Sequence, residues 1–363
     1  MGCCPQVLDS VKTSIKTLDN ALMGNPKILL VKLSSLGDVL HNLPIVWDLR
    51  SRYPNAQIDW VVEEGYVNLL EPLLSTPSFR GIDRIIPFGL RSWKRSLLSP
   101  KTWQAFSFFK KDLQAQTYDI VIETQGLLKS AIVCALASKS PNAIVAGLAN
   151  ATEFSGYEPL ARTFYSQSVQ VPSQCHAVDR SRWVMSSAMD IPLVSREINP
   201  QFYPQSFVEQ IPNSSIFGLH RPYVLCFHST ARAAKRWPRE DWITLGKALA
   251  KDGYQIVFPW GSAAERAISE ALAMQVPHSL VPPAFSIDEA FSLIKGASLT
   301  VGVDTGLTHL AAVLDRPTVE IYCDSPLWKT EGYWSKRIRN VGDIKAPPIV
   351  EEVLAASREL LKN

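Results

Sequence analysis

Four short segments of this chain end an apolar run in residues that can handle a proton or an anion. The first reads LSSLGDVLHNLP, with Asp38 at or near the start of a helix that follows the run ending at Leu33. A carboxylate in that place either caps the helix by accepting backbone N–H bonds or serves as a general base. Pro44 suits either role if it lies in the first turn of a helix, where its missing N–H does little harm. The second segment, VGVDTGLTHLAAV, puts Asp304, Thr305 and Gly306 at a strand-to-helix junction. Exposed N–H groups and the positive end of a helix dipole can seat a diphosphate there, and Gly306 lets a ligand approach the backbone closely. Thr305 and His309 are four residues apart and share a helix face; the plainer reading has Asp304 as a cap and His309 in the core. In the third segment, FHSTARAAKRWP, Thr230, Arg232, Lys235 and Arg236 lie just beyond a strand. They would face phosphate, or form a solvated loop anchored by Trp237. The fourth is PWGS followed by Glu265, a partner for a helix dipole or for a ribose hydroxyl.

A different chemistry shows between Arg91 and Lys111. Arg91, Lys94, Arg95, Lys101, Lys110 and Lys111 occur there without an acid, interleaved with Trp93, Trp103 and Phe106. Cations and aromatics together suit an anionic membrane surface or an acidic glycolipid, and a solvated helix face is an equally open reading of the same residues.

These segments need a scaffold, and the composition bounds it. The 363 residues exceed one ordinary core, so two domains are expected at roughly 150 residues each. With 46% apolar and 20% charged residues the chain is globular. A net charge of +3 is too small for wholesale binding of nucleic acid, so any basic site must be local. Cys3, Cys4, Cys134, Cys175, Cys226 and Cys323 form no CxxC pair and no disulfide framework, which points to a reducing cytoplasm and to no zinc site. No run of ~18 apolar residues could span a bilayer. Gly2 resembles a lipidation start, but Gln6 stands where that signal wants Ser or Thr, so residues 1–26 read as an extension.

From Lys27 onward, short β-branched or aromatic runs alternate with longer amphipathic ones. The pattern predicts strands over Lys27–Leu33, Gln57–Val62, Arg84–Phe88, Tyr118–Glu123 and Ala143–Gly147, several of them apolar throughout, as in a parallel sheet covered on both faces. The prolines and polar residues of 201–221 interrupt the rhythm as an interdomain connection. It restarts over 222–346 with strands YVLCFH, YQIVFPW, SLTVGV and TVEIY, and helices beginning near Arg239, Ala263, Ser286 and Thr305. Residues 347–363 read as a terminal amphipathic helix. The fold class is therefore α/β, with two facing Rossmann-like, doubly wound domains, 27–200 and 222–346, and a ligand cleft between the carboxyl ends of their strands. Neither domain carries GxGxxG or GxxxxGK[ST], which removes the main support for dinucleotide or P-loop chemistry.

In order along the chain, KLSSLGDVLHNLP, DWVVEEGY, RSWKR, IETQGLLKSA, HST with KRWP, PWGS and VDTGLTHL resemble family 9 glycosyltransferases, the heptosyltransferases of lipopolysaccharide core assembly. The likeness runs from about Lys27 to the end. It implies a GT-B enzyme whose first domain receives the acceptor and whose second holds an ADP-sugar, with inverting transfer that needs no metal and no cofactor. By position, Asp38 would be the base and Lys235 the cation on the leaving diphosphate. Thr230, Asp304, Thr305, Gly306 and His309 would form the donor site, with Glu265 on the ribose. Gln125 and Lys129 would lie on the acceptor side, and Lys94, Arg95 and Lys101 would meet an acidic acceptor. The implied protein is a monomer at the cytoplasmic face of the inner membrane, in peripheral contact with anionic lipid.

The sequence departs from the family pattern at Ala231, Ala233 and Ala234, where a second Thr and an acidic pair are usual, and at Cys323, Asp324 and Ser325, in place of a Gly-Pro-Thr-Asp turn. The first change removes possible phosphate and sugar contacts; the second alters a loop beside the nucleotide. Two other readings stay open: a family member using another nucleotide sugar or glycan, and a silent nucleotide-sugar-binding module. A pure binder would not need a base on the opposite domain.

Overall fold

The computed structural model describes residues 25–190, 202–212, 217–219 and 222–362. The lipidation signal at Gly2 and nearly all of the 1–26 extension lie outside them, as does part of the 201–221 connection. The first domain contains β1 (Lys27–Val31), α1 (Leu36–Leu40), α2 (Pro44–Arg52), β2 (Gln57–Glu63), β3 (Arg84–Phe88), α3 (Leu90–Lys94) and α4 (Pro100–Leu113). It continues through β4 (Tyr118–Glu123), α5 (Leu128–Leu136), β5 (Lys139–Leu148), β6 (Gln167–Val169) and α6 (Ala177–Met189). The second contains β7 (Tyr223–Phe227), α7 (Arg239–Lys251), β8 (Gln255–Val257), α8 (Ala263–Ala273), β9 (Ser279–Leu280) and α9 (Ile287–Gly296). After these come β10 (Leu299–Val303), α10 (Gly306–Val313), β11 (Thr318–Tyr322), β12 (Ile338–Gly342) and α11 (Val350–Leu361).

Each domain is built on a six-stranded sheet, ordered β3-β2-β1-β4-β5-β6 and β12-β11-β10-β7-β8-β9. All the pairings are parallel. Read from β9, the second order repeats the first, so both are doubly wound and both reverse direction between two central strands, β1/β4 and β7/β10. The interior strands of the second sheet are apolar runs: YVLCF (β7), LTVGV (β10) and TVEIY (β11) are buried at every residue because helices cover both faces. The sequence pattern locates them closely and misses β6, β9 and β12, edge strands of two to five residues whose side chains are only partly buried. It also runs β1 two residues too far, since Lys32 and Leu33 already belong to the turn into α1.

One apolar cluster joins the domains, holding Ile28, Leu30 and Trp60 of the first sheet together with Tyr223, Leu225 and Leu310 of the second domain. The described part of the connection contributes Phe202 and Tyr203 to that cluster, with the Phe202 ring packed 4.8 Å from that of Trp334. The terminal helix α11 buries Val353 and Leu360 against the far face of the second sheet.

At the centre of the interface α1 meets α10 with almost no space between them. A Cβ on Gly306 would stand 2.6 Å from Leu36 Cδ2, 2.8 Å from Leu36 Cβ and 3.1 Å from the Gly37 nitrogen, and one on Gly37 would stand 3.2 Å from the His309 ring. The opposite domain thus makes a close approach to Gly306, through Leu36 and Gly37. Gly306→Ala should lower stability by ~1–3 kcal/mol in urea titration, because the domains must separate slightly. Adding Leu36→Ala should recover part of that loss. A loss that Leu36→Ala does not change would contradict the interface packing.

Candidate active site

The turn from β1 into α1 is fixed by Gln125, just past β4. Its Oε1 accepts the Leu33 N–H at 2.9 Å, and its Nε2 donates to the Ser34 carbonyl at 2.9 Å. Gln125 is buried and its amide is spent on this turn, so it positions the loop; the acceptor contact expected of it has no free polar atom to use. Lys129 lies beside it, donating to Ser34 Oγ at 2.8 Å and to Glu63 Oε1 at 2.9 Å.

Asp38 is not the helix cap. Ser35 holds that position, and Asp38, at the third helical residue, turns back so that its Oδ2 accepts the Ser35 N–H at 3.0 Å and the Ser35 hydroxyl at 2.8 Å. Among the described residues its Oδ1 has no hydrogen-bond partner. Burial pushes this carboxyl up, but the Lys32 charge and the two Ser35 bonds outweigh it and hold the group at about 2. Lys32 is itself buried, with Nζ 3.2 Å from the Thr124 carbonyl; burial lowers its pKa to about 8 against the pull of Asp38. Asp38 is therefore ionised throughout the physiological range.

Across the interface the N-terminus of α10 presents a second constellation. Thr305 is the cap residue and makes no side-chain cap bond, so among the described residues its hydroxyl leaves the helix's first N–H groups open. Asp304, read as a possible cap, points elsewhere: Oδ2 accepts from Lys235 Nζ at 2.6 Å, and Oδ1 meets His309 Nε2 at 2.9 Å. The other ring nitrogen, His309 Nδ1, lies 2.9 Å from Glu320 Oε1. A carboxylate on each nitrogen requires both to carry protons, which makes this buried ring an imidazolium. Burial alone would lower its pKa; the Glu320 charge and the two bonds raise it to about 10. Asp304 is held well below the usual carboxylate range, burial being overcome by His309 and Lys235.

The two constellations line one cleft of about 350 Å3, within the range of small-molecule sites. Asp38, Thr230, Lys235, Asp304, Thr305, Gly306 and His309 all border it. Arg232, expected from the sequence to face phosphate, borders it with Lys235, and three further cations join them that the sequence reading does not single out: Lys32, Arg180 and Lys329. Arg180, buried on α6, donates to the Gln125 carbonyl at 3.2 Å; Lys329 donates to the Phe154 carbonyl at 2.6 Å. Arg232 pairs at 3.1 Å with Asp324, so the altered turn after β11 is tied to the altered loop after β7. The His41 ring lies 4.7 Å from that of His309 and tilted to it, and burial with the neighbouring histidine charges keeps it neutral. With Asp38 and Asp304 as the bordering acids, the cleft is cationic and suits a diphosphate.

Other expected site residues lie apart. Glu265 accepts the Gly261 N–H at 2.8 Å at the start of α8 and does not border the cleft. Lys94, Arg95 and Lys101 are exposed on α3, α4 and the turn between them. Trp237 anchors its loop as expected, donating to the Pro348 carbonyl at 2.9 Å. Among the described residues, no group of three or more His, Cys, Asp or Glu side chains is placed to hold a metal ion, and no helix is long and apolar enough to cross a membrane.

The folded chain keeps the His309 proton up to about pH 10, whereas an unfolded histidine releases it near 6.5. The stability this proton confers is complete below pH 6.5 and is lost as pH rises through 10. His309→Gln should therefore melt well below wild type at pH 6, with the gap narrowing toward pH 10. A gap that stays constant or widens would show a neutral ring.

The sequence from residue 107 to 354 matches the profile of Glycosyltransferase family 9 (heptosyltransferase). The chain is 34% identical over 327 residues to lipopolysaccharide heptosyltransferase 1 of Pseudomonas aeruginosa, covering 90% of this chain and 86% of that protein. With the Escherichia coli K12 protein of the same name it shares 34% over 297 residues, 82% of this chain and 87% of the relative. Among solved structures, E. coli heptosyltransferase WaaC with ADP superposes with a TM-score of 0.76 at 30% identity, covering 92% of this chain and 99% of that one. The paired doubly wound sheets are thus the GT-B architecture, and the chain belongs to glycosyltransferase family 9.

Proposed function

We propose that this enzyme transfers a heptosyl group from ADP-heptose to an acidic, lipid-linked sugar of the lipopolysaccharide inner core, by a single inverting displacement without a metal. The observation that carries the reading is the placement of Asp38 from one domain and the Lys235–Asp304 pair from the other on the same cleft. The names of the relatives support the choice of sugar, and one solved relative is E. coli heptosyltransferase WaaC with ADP-2-deoxy-2-fluoro heptose.

In this reading the diphosphate lies against α10's N-terminus, Thr230, Lys235 and Arg232. Lys235 has ammonium protons beyond the one given to Asp304 and can donate them to the departing oxygen. The acceptor hydroxyl enters from the Asp38 side. Its oxygen bonds to the anomeric carbon as the bond to the diphosphate breaks; ADP leaves with the electron pair and the hydroxyl proton passes to Asp38. A carboxylate held at about 2 is a weak base, so the proton moves late, once the new C–O bond has acidified the hydroxyl. Metal independence rests on the five cations bordering the cleft, which supply the charge a divalent ion would otherwise bring. Action as a monomer at the cytoplasmic membrane face, with Lys94, Arg95 and Lys101 toward the acidic acceptor, belongs to the same proposal. Transfer of another sugar is the second reading, favoured by Ala231, Ala233 and Ala234 and by the Cys323-Asp324-Ser325 turn.

The test is ADP release from ADP-heptose with a lipopolysaccharide-core acceptor in the presence of a chelator, comparing wild type with Lys235→Ala. Turnover should survive the chelator. The variant should bind ADP about ten- to a hundredfold more weakly and turn over more slowly, as expected for loss of one charge-assisted contact. Unchanged ADP affinity and turnover in a folded variant would remove Lys235 from the donor site.

A further inference from the structure

An apolar groove of about 650 Å3 runs along the first domain between α3, the start of α4, and α5, separate from the cleft. Its walls include Trp93, Leu97, Trp103, Phe106 and Ile132. Trp93 is buried and fixes the floor, its ring 5.6 Å from Phe106. The rim is wet: Leu97 is 62% exposed, Trp103 65%, Ile132 44%, and the adjoining Leu98 95%. A cluster of this kind on a soluble surface marks a binding face.

The charge around it says what binds. Lys94 lines the groove, Arg95 and Lys101 flank it, and Lys110 and Lys111 end α4. Unlike Arg91, which pairs with Glu63 at 2.7 Å, these five form no ion pair among the described residues. The bordering acid, Glu158, is occupied by the Leu128 N–H at 2.5 Å. Unpaired cations around an apolar slot, with a tryptophan at its lip, match the boundary between anionic headgroups and acyl chains. The groove also lies near the reaction site. Lys129 borders it, and its ammonium reaches Ser34 Oγ beside the turn that carries Asp38.

We propose that this groove takes an acyl chain from an anionic phospholipid bilayer, docking the first domain on the membrane with its reaction cleft beside the lipid surface. The inference rests on the heptosyl-transfer reading only for the presence of a lipid-borne acceptor. Once seated, the chain replaces water along Leu97, Trp103 and Ile132, while Lys94, Arg95 and Lys101 meet the headgroup phosphates.

Co-sedimentation of the full chain with phosphatidylglycerol-rich vesicles tests it, against vesicles of phosphatidylcholine alone. Wild type should bind the anionic vesicles, and Leu97→Asn with Trp103→Asn, both at exposed positions, should weaken partitioning by ~10-fold or more at low salt, with every cation kept. Transfer to a deacylated, water-soluble acceptor should stay within about twofold of wild type in that variant, since neither residue borders the cleft. Vesicles with brominated acyl chains should quench wild-type emission more than that of Trp103→Phe. Equal partitioning of wild type and the double variant, or equal quenching, would overturn the proposal. So would a concentration-dependent dimer, abolished by the double variant, in a protein that ignores vesicles. Failure of the soluble-acceptor assay in wild type would count against the transfer reading alone.

Discussion

The contact between Gly37 and Gly306 constrains everything else in the active cleft. Each glycine sits at the start of a helix that leaves the central strands of its sheet, where the strand order reverses and a doubly wound domain opens its binding crevice. Because neither carries a Cβ, the two crevices merge into one cavity instead of two shallow mouths. The residues each sheet delivers to its own reversal point then face one another. From the first come Lys32 and Asp38; from the second, Lys235, Asp304 and His309.

Such a meeting concentrates positive charge, and the local pairings show how it is managed. His309 is protonated but lies between Asp304 and Glu320, and Lys235 rests on the far oxygen of Asp304, so this buried group of four is neutral. Lys32, Arg180, Arg232 and Lys329 then supply the cleft's net positive charge, partly balanced by Asp38 and, outside it, by Asp324, and Lys235 keeps ammonium protons free to donate into it. The same field that would hold a diphosphate keeps Asp38 ionised and weakly basic. Anion binding and proton acceptance are thus two effects of one electrostatic arrangement, which accounts for a base whose strength is low and whose availability is complete.

Much of this was legible in the sequence because the signals were local. Uniformly apolar runs ending in Ser-Ser-Leu-Gly-Asp or Asp-Thr-Gly mark strand ends at helix starts, and they located Asp38, Asp304, Thr305 and His309. The loop Thr230–Lys235 announced itself by charge. Lys32 had a signal that was overlooked: a lysine in the apolar run ILLVKL. Arg180 had none, since it reaches the cleft from the first turn of α6 and nothing near it in sequence is catalytic. The amide of Gln125 looked like a ligand contact, and only the fold shows both of its ends used by the neighbouring turn. Glu265 illustrates the opposite limit: its place at a helix start is readable, whereas whether that helix points into the cleft is a property of packing.

The central claim is that Asp38 accepts the proton of the acceptor hydroxyl, and turnover of Asp38→Asn at saturating donor and acceptor tests it most directly. The amide oxygen can still accept the Ser35 N–H, so the turn into α1 and the melting temperature should hold, with a stability change within ~1 kcal/mol. ADP affinity should also be retained. Turnover should fall by ~100-fold or more, because an amide cannot take up the proton. Turnover within a few-fold of wild type would contradict the account, leaving Asp38 as a structural partner of Ser35 and the cleft without its base.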